Sequence, residues 1–132
     1  MAFLVGIVLA AVVCGFATIA GLDRDRAFYP TLTMVIASYY ALFAVMGGST
    51  RALIAESIVV AGFLLISVIA FKRSLWIIVI ALAAHGIFDF IHGSVIADPG
   101  VPPWWPSFCL AFDVVAAAYL AVRLLRAVRS EV

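Results

Sequence analysis

Residues 75–95 read LWIIVIALAAHGIFDFIHGSV, with Lys72-Arg73-Ser74 before them and Asp98-Pro99-Gly100 close behind. The stretch itself contains no Lys or Arg. A helix of this length, rising about 1.5 Å per residue, crosses a hydrocarbon core of roughly 30 Å. Its ionisable side chains, His85, Asp89 and His92, are spaced i, i+4 and i+7, which is one face of an α-helix. An ionisable group at membrane depth costs roughly 2.5–3.5 kcal/mol on insertion scales, so it turns inward and marks a function or a buried pair. The stretch therefore predicts a membrane span and also where chemistry is to be sought.

Four further apolar runs lie around it, at about 2–22, 29–46, 51–71 and 106–125. The breaks are Asp23-Arg24-Asp25-Arg26, Gly47-Gly48-Ser49-Thr50, Lys72-Arg73-Ser74 and the longer segment 95–106. That last segment contains Pro102-Pro103-Trp104-Trp105-Pro106, stiff because proline fixes φ. Hydrophobic residues make up 67% of the 132-residue chain and charged residues 11%. A soluble domain would carry about 25% charged residues, so the expected fold is all-α, an integral membrane bundle of five transmembrane helices in one domain. Mean hydropathy is +1.27, in line with this.

A net charge of +1 argues against a nucleic-acid partner. Cys14 and Cys109 both sit in apolar runs, so no disulfide framework is expected. The first run has no Lys or Arg before Arg24, unlike a secretory signal, and Ala11-Val12-Val13 before Cys14 is a poor lipoprotein cleavage site. It is read as a retained helix. With alternating loops, Arg24, Arg26, Lys72, Arg73, Arg123, Arg126 and Arg129 share one side and Arg51 alone takes the other. The positive-inside rule then puts the N-terminus outside and the C-terminus in the cytoplasm. The expected location is a bacterial inner (plasma) membrane.

That topology brings Glu56, His85, Asp89, His92 and Asp113 into the outer half of the bilayer, on the third, fourth and fifth helices. Two chemistries suit such a set. His85, Asp89, His92 and Asp113 are candidate ligands for Zn²⁺ or non-haem iron, with a spare carboxylate as general base. Alternatively Asp89, Asp113 and Glu56 are catalytic acids and bases, since a carboxyl in low dielectric can hold a proton to donate. The plain alternative is that these groups only hydrogen-bond across helices and fix the bundle.

Other residues carry weaker expectations. Cys109, one turn before Asp113, reads as packing before ligand, and so do Tyr39 and Tyr40. Trp104 and Trp105 fit an interfacial belt or a lid over the site. Arg51 is expected to pair with Glu56 or meet a headgroup. Asp23-Arg24-Asp25-Arg26 reads as a self-neutralised, solvated turn. Arg123, Arg126 and Arg129 anchor the last helix and touch membrane lipid. Small residues such as Gly6, Ala10, Ala81, Gly86 and Ala116-Ala117-Ala118 permit close helix packing, and equally a homo-oligomer or a larger membrane complex.

His85-x-x-x-Asp89, Trp105 in a Pro- and Trp-bearing loop, and Asp113 on the last helix together give a layout that resembles the EXPERA-type sterol isomerases. The resemblance covers the C-terminal third. It implies a lipid isomerase or cyclase acting through His85, Asp89 and Asp113. The leading expectation is thus a small membrane enzyme acting on a lipophilic small molecule from the outer leaflet. The alternatives are a non-catalytic subunit or assembly partner of a larger complex, and a carrier for a proton or metal cation. The shortage of polar groups in the inner half argues against the carrier.

Overall fold

The computed structural model describes residues 1–130. Its helices are α1 (Ala2–Ala20), α2 (Phe28–Met46), α3 (Thr50–Lys72), α4 (Trp76–Val95) and α5 (Trp105–Ser130), with a short 3-10 turn at Leu22–Arg24. All five helices are long and apolar enough to span a membrane. There is no strand among the described residues.

Local chemistry sets most of the ends. Gly21 closes α1 in the left-handed conformation (φ 75°) and donates its N–H to the carbonyls of Ala17 and Thr18. A residue with a Cβ pays for that conformation and glycine does not. Pro30 and Pro106 sit in the first turns of α2 and α5, where a missing N–H leaves no bond unmade. The Ser49 side chain accepts from the Ala52 N–H at 3.2 Å and caps α3. The last helix runs to Ser130, past the expected end near 125. Nothing in Arg126-Ala127-Val128-Arg129 breaks a helix, and basic side chains in a last turn suit the helix dipole.

The packing order is α1 on α5, α5 on α4, α4 on α3 and α3 on α2, with a lighter contact of α2 on α4. Among the described residues the α2 backbone comes close to neither α1 nor α5, so the ring of helices is open there and is bridged by side chains alone. Close approach elsewhere rests on glycine. A Cβ at Gly86 would stand 3.2 Å from the Asp113 Cβ and 3.3 Å from the Leu110 carbonyl oxygen. Its absence lets α5 bring Asp113 against α4.

Two elements depart from expectation. Asp23 is not part of a solvated turn. Its side chain is buried, ion-paired with Arg123 and bonded by the Thr18 hydroxyl at 2.6 Å. The contact exists because α1 and α5 are neighbours. Arg51 does not meet Glu56; it stays exposed, and Glu56 turns inward to α4.

The α4–α5 loop folds back on the end of α2. A Cβ at Gly100 would run into the Phe43 carbonyl, and one at Gly47 would lie 2.6 Å from the Gly100 nitrogen. Gly100→Ala is therefore expected to lower stability by about 1–3 kcal/mol through overpacking. Gly62→Ala, at a site with open space around it, is the matched control and should be neutral or better. Thermal unfolding of both variants in mild detergent checks this. Equal melting temperatures would mean that the loop does not rest on α2.

Candidate functional site

Three helices deliver the polar residues to the bundle interior, at two levels about two turns apart on α4. Glu56 comes from α3, His85, Asp89 and His92 from α4, and Asp113 from α5; all five are buried. The helical spacing on α4 turns all three of its groups inward, as one face requires.

They form two separate groups. In the first, His85 Nδ1 lies 2.7 Å from Asp113 Oδ2 and 3.3 Å from Asp89 Oδ2. In the second, His92 Nε2 lies 2.6 Å from Glu56 Oε1. Among the described residues, the group able to hold a metal ion is His85, Asp89 and Asp113, whose ligand atoms fall within 4.8 Å of one another. His92, expected beside them, is outside that group and engaged with Glu56. Glu56 correspondingly stands with His92 and away from Asp89 and Asp113.

Hydrogen-bond accounting sets the two groups apart. The His85 ring nitrogen carries at most one proton toward the acids, and its short contact is with Asp113. Both oxygens of Asp89 and Oδ1 of Asp113 are buried without a hydrogen-bond partner. Buried carboxylate oxygens without donors are rare, because each one forfeits its hydration with nothing in return. The Tyr40 hydroxyl and the Cys109 thiol both turn a hydrogen-bonding group toward Asp89, and Cys109 also feels the charge of Asp113. The Tyr40 hydroxyl itself has no well-formed hydrogen bond.

Tyr40 also joins the two groups. Its ring stacks on His92 at 4.1 Å between centroids with 29° between planes, and stands 6.3 Å from the His85 ring. Phe63 meets His85 edge-on at 4.7 Å and fixes the ring from the α3 side. Sequence reasoning left Tyr39 and Tyr40 equivalent. The structure turns Tyr40 inward and Tyr39 outward, onto Trp105 at 5.1 Å.

Two cavities adjoin these groups. One, of about 350 Å³, occupies the gap between α2 and the α1–α5 pair; its lining includes Val13, Ile36, Tyr39, Trp105, Cys109 and Phe112. It is apolar, and Cys109 is the wall it shares with Asp89 and Asp113. Trp105 closes its end through ring contacts with Tyr39 and with Phe43 at 4.8 Å. The other, of about 410 Å³, lies under the α4–α5 loop and has His92 in its lining. Trp105 thus seals the open seam, while Trp104 is exposed.

On the other side of the first group the interior is mostly apolar and, among the described residues, carries no buried charged side chain short of Asp23, with Ile36, Ile78, Leu82, Phe112 and Ala116 in one cluster and the buried hydroxyls of Tyr29, Thr33 and Ser67 and the Cys14 thiol among them. The Thr33 hydroxyl there is taken up by the Tyr29 carbonyl at 2.9 Å.

The chain was compared with family models, with curated proteins and with solved structures, and none matches.

Proposed function

We propose that this chain is a small integral membrane enzyme that acts on a lipophilic substrate at the His85–Asp89–Asp113 group. The observation that carries the reading is the set of buried carboxylate oxygens on Asp89 and Asp113 that lack a well-formed hydrogen bond. Such oxygens call for a positive partner, either a proton that the group hands to and takes from a substrate, or a metal ion. Ligand bonds of about 2.1 Å in a tetrahedral zinc site separate the ligand atoms by roughly 3.4 Å; here they lie within 4.8 Å of one another, with His85 at 2.7 and 3.3 Å from the two acids. Non-haem iron is the alternative ion, given one imidazole and two carboxylates. In the proton-transfer version Asp89 is the reacting carboxylate and Asp113 orients His85; in the metal version His85, Asp89 and Asp113 would all be ligands; in both, Glu56 with His92 forms a second polar station linked through Tyr40.

The apolar cavity beside Cys109 supports a lipophilic substrate, since hydrocarbon is what fits the open seam between α2 and α5. The apolar cluster below the group speaks against a carrier, which needs polar access from both sides. The basic residues gathered at the opposite end support an orientation with the site in the outer half of a bacterial inner membrane.

Comparative lipid analysis tests the reading. Membranes from cells producing the wild-type chain are compared with those producing Asp89→Asn at equal protein level. At least one lipid species is expected to rise or fall several-fold with the wild type alone. Metal is measured on the same preparations, purified without chelator. Identical lipid profiles from two folded proteins would end the enzyme reading, whatever the metal content.

A further inference from the structure

A groove lies away from that site, at the basic end of the bundle. It has a volume of about 790 Å³ and runs along α5 beside the end of α1. Its lining divides by chemistry. Val115, Ala118 and Val122 form an apolar track, and Arg123 and Arg126 stand at its end.

Arg123 is held in place. It is ion-paired with the buried carboxylate of Asp23 and reaches the Thr18 hydroxyl at 3.4 Å. Thr18 is in turn 2.8 Å from the Tyr119 hydroxyl, so Asp23, Thr18, Tyr119 and Arg123 form one polar network between α1 and α5. A guanidinium held along one edge keeps its remaining N–H groups aimed in a fixed direction. Arg126 follows three residues later, on the neighbouring turn of the same helix.

Depth fits as well. From Trp105, in the aromatic cluster at one end, to Arg123 the helix rises about 27 Å, close to the roughly 30 Å hydrocarbon core. Arg123 and Arg126 therefore stand at the level where lipid phosphates lie, with the apolar track descending from them into the acyl region. Charge agrees. This end also carries Arg24, Arg26, Lys72, Arg73 and Arg129, against Asp23 and Asp25 among the described residues.

We propose that this groove seats one anionic glycerophospholipid, with its phosphate between Arg123 and Arg126 and one acyl chain along Val115, Ala118 and Val122. The site is independent of the reaction proposed above, because it shares no residue with it. A guanidinium pair recognises the phosphate by charge-assisted hydrogen bonds, and the network through Asp23 orders one guanidinium in advance.

Native mass spectrometry of the full chain released from detergent tests the site, with phosphatidylglycerol, phosphatidylcholine and inorganic phosphate as separate probes. One phosphatidylglycerol is expected to stay bound where phosphatidylcholine does not. Arg126→Gln should weaken it about tenfold, the loss of one charge-assisted contact. Ala118→Trp, which fills the track and leaves every charge in place, should weaken it as well. Arg129→Gln, outside the lining, should not. The proposal is overturned if phosphatidylcholine binds equally, if Arg129→Gln weakens binding as much as Arg126→Gln, or if inorganic phosphate at equal concentration displaces the lipid.

Discussion

Asp89→Asn is expected to leave the melting temperature of the protein unchanged or raised, and at the same time to empty the His85 group. The argument is one of accounting. Asp89 is fully buried, neither of its oxygens has a well-formed hydrogen bond, and its contact with a ring nitrogen is the 3.3 Å approach of His85 Nδ1. A buried carboxyl group in that state costs free energy, most of all if it ionises, which an amide of the same shape cannot do. Replacing it should relieve the fold. Asp113→Ala is expected to do the reverse. It removes the acceptor of the 2.7 Å bond from His85 and leaves the imidazole unsatisfied, a loss of about 1.5–3 kcal/mol for a bond to a charged group.

The functional readouts should follow the other order. Residues that support a metal ligand from behind cost 10–100-fold in affinity when changed, so loss of Asp89 itself should lower bound metal by about 100-fold or more. If the group instead works by proton transfer, the lipid change seen with the wild type should vanish in Asp89→Asn. A residue whose removal helps the fold and abolishes the chemistry is kept for the chemistry. Should Asp89→Asn melt as low as Asp113→Ala, with metal and lipid both unaltered, the carboxylates serve only to hold the helices together.

How much of this was legible beforehand differs from residue to residue. The spans are visible because hydrocarbon length is a strong signal, and four of the five helices end within about two residues of the apolar runs. The last helix outran its run, since hydropathy marks where the membrane stops and not where the backbone stops being helical. The inward face of α4 is visible because i, i+4, i+7 spacing is a property of one helix. Which partner each group meets depends on how helices are arranged around the bundle, and no single-helix period contains that. Hence His85 and Asp113 could be placed at one depth, while the turn of His92 toward Glu56 on α3 could not be read. Tyr39 and Tyr40 are a further case. Consecutive residues point about 100° apart on a helix of 3.6 residues per turn, and α2 has no charged residue to say which one faces in. Asp23 was misread for the same reason as His92, since its partner Arg123 lies a hundred residues away and is neighbour only through the α1–α5 contact.

His92→Leu is expected to be the most destabilising single change in the site, and its rescue separates the two polar groups. Glu56 makes its hydrogen bond to His92 Nε2 at 2.6 Å, and its other oxygen is buried without a partner. Removing the imidazole strands a carboxylate in a low-dielectric interior and also takes away the ring on which Tyr40 stacks. Breaking a buried acid–imidazole pair from one side costs up to about 3–5 kcal/mol, the figure for a pair that is ionic, because the remaining group stays behind without its partner. The double variant His92→Leu/Glu56→Leu removes both partners, and pairs replaced in this way by apolar residues are commonly neutral or more stable. A double-mutant cycle on chemical or thermal unfolding in one detergent measures the coupling. If His92→Leu unfolds no more easily than the double variant, the His92–Glu56 contact is not a buried pair and the geometry is mistaken. The same proteins carry a second readout. Because the pair lies outside the His85–Asp89–Asp113 group, the double variant should keep the metal content of the wild type. Any loss of lipid turnover in it would then assign His92 and Glu56, with Tyr40 between them and the inner group, to moving protons rather than to holding the ion.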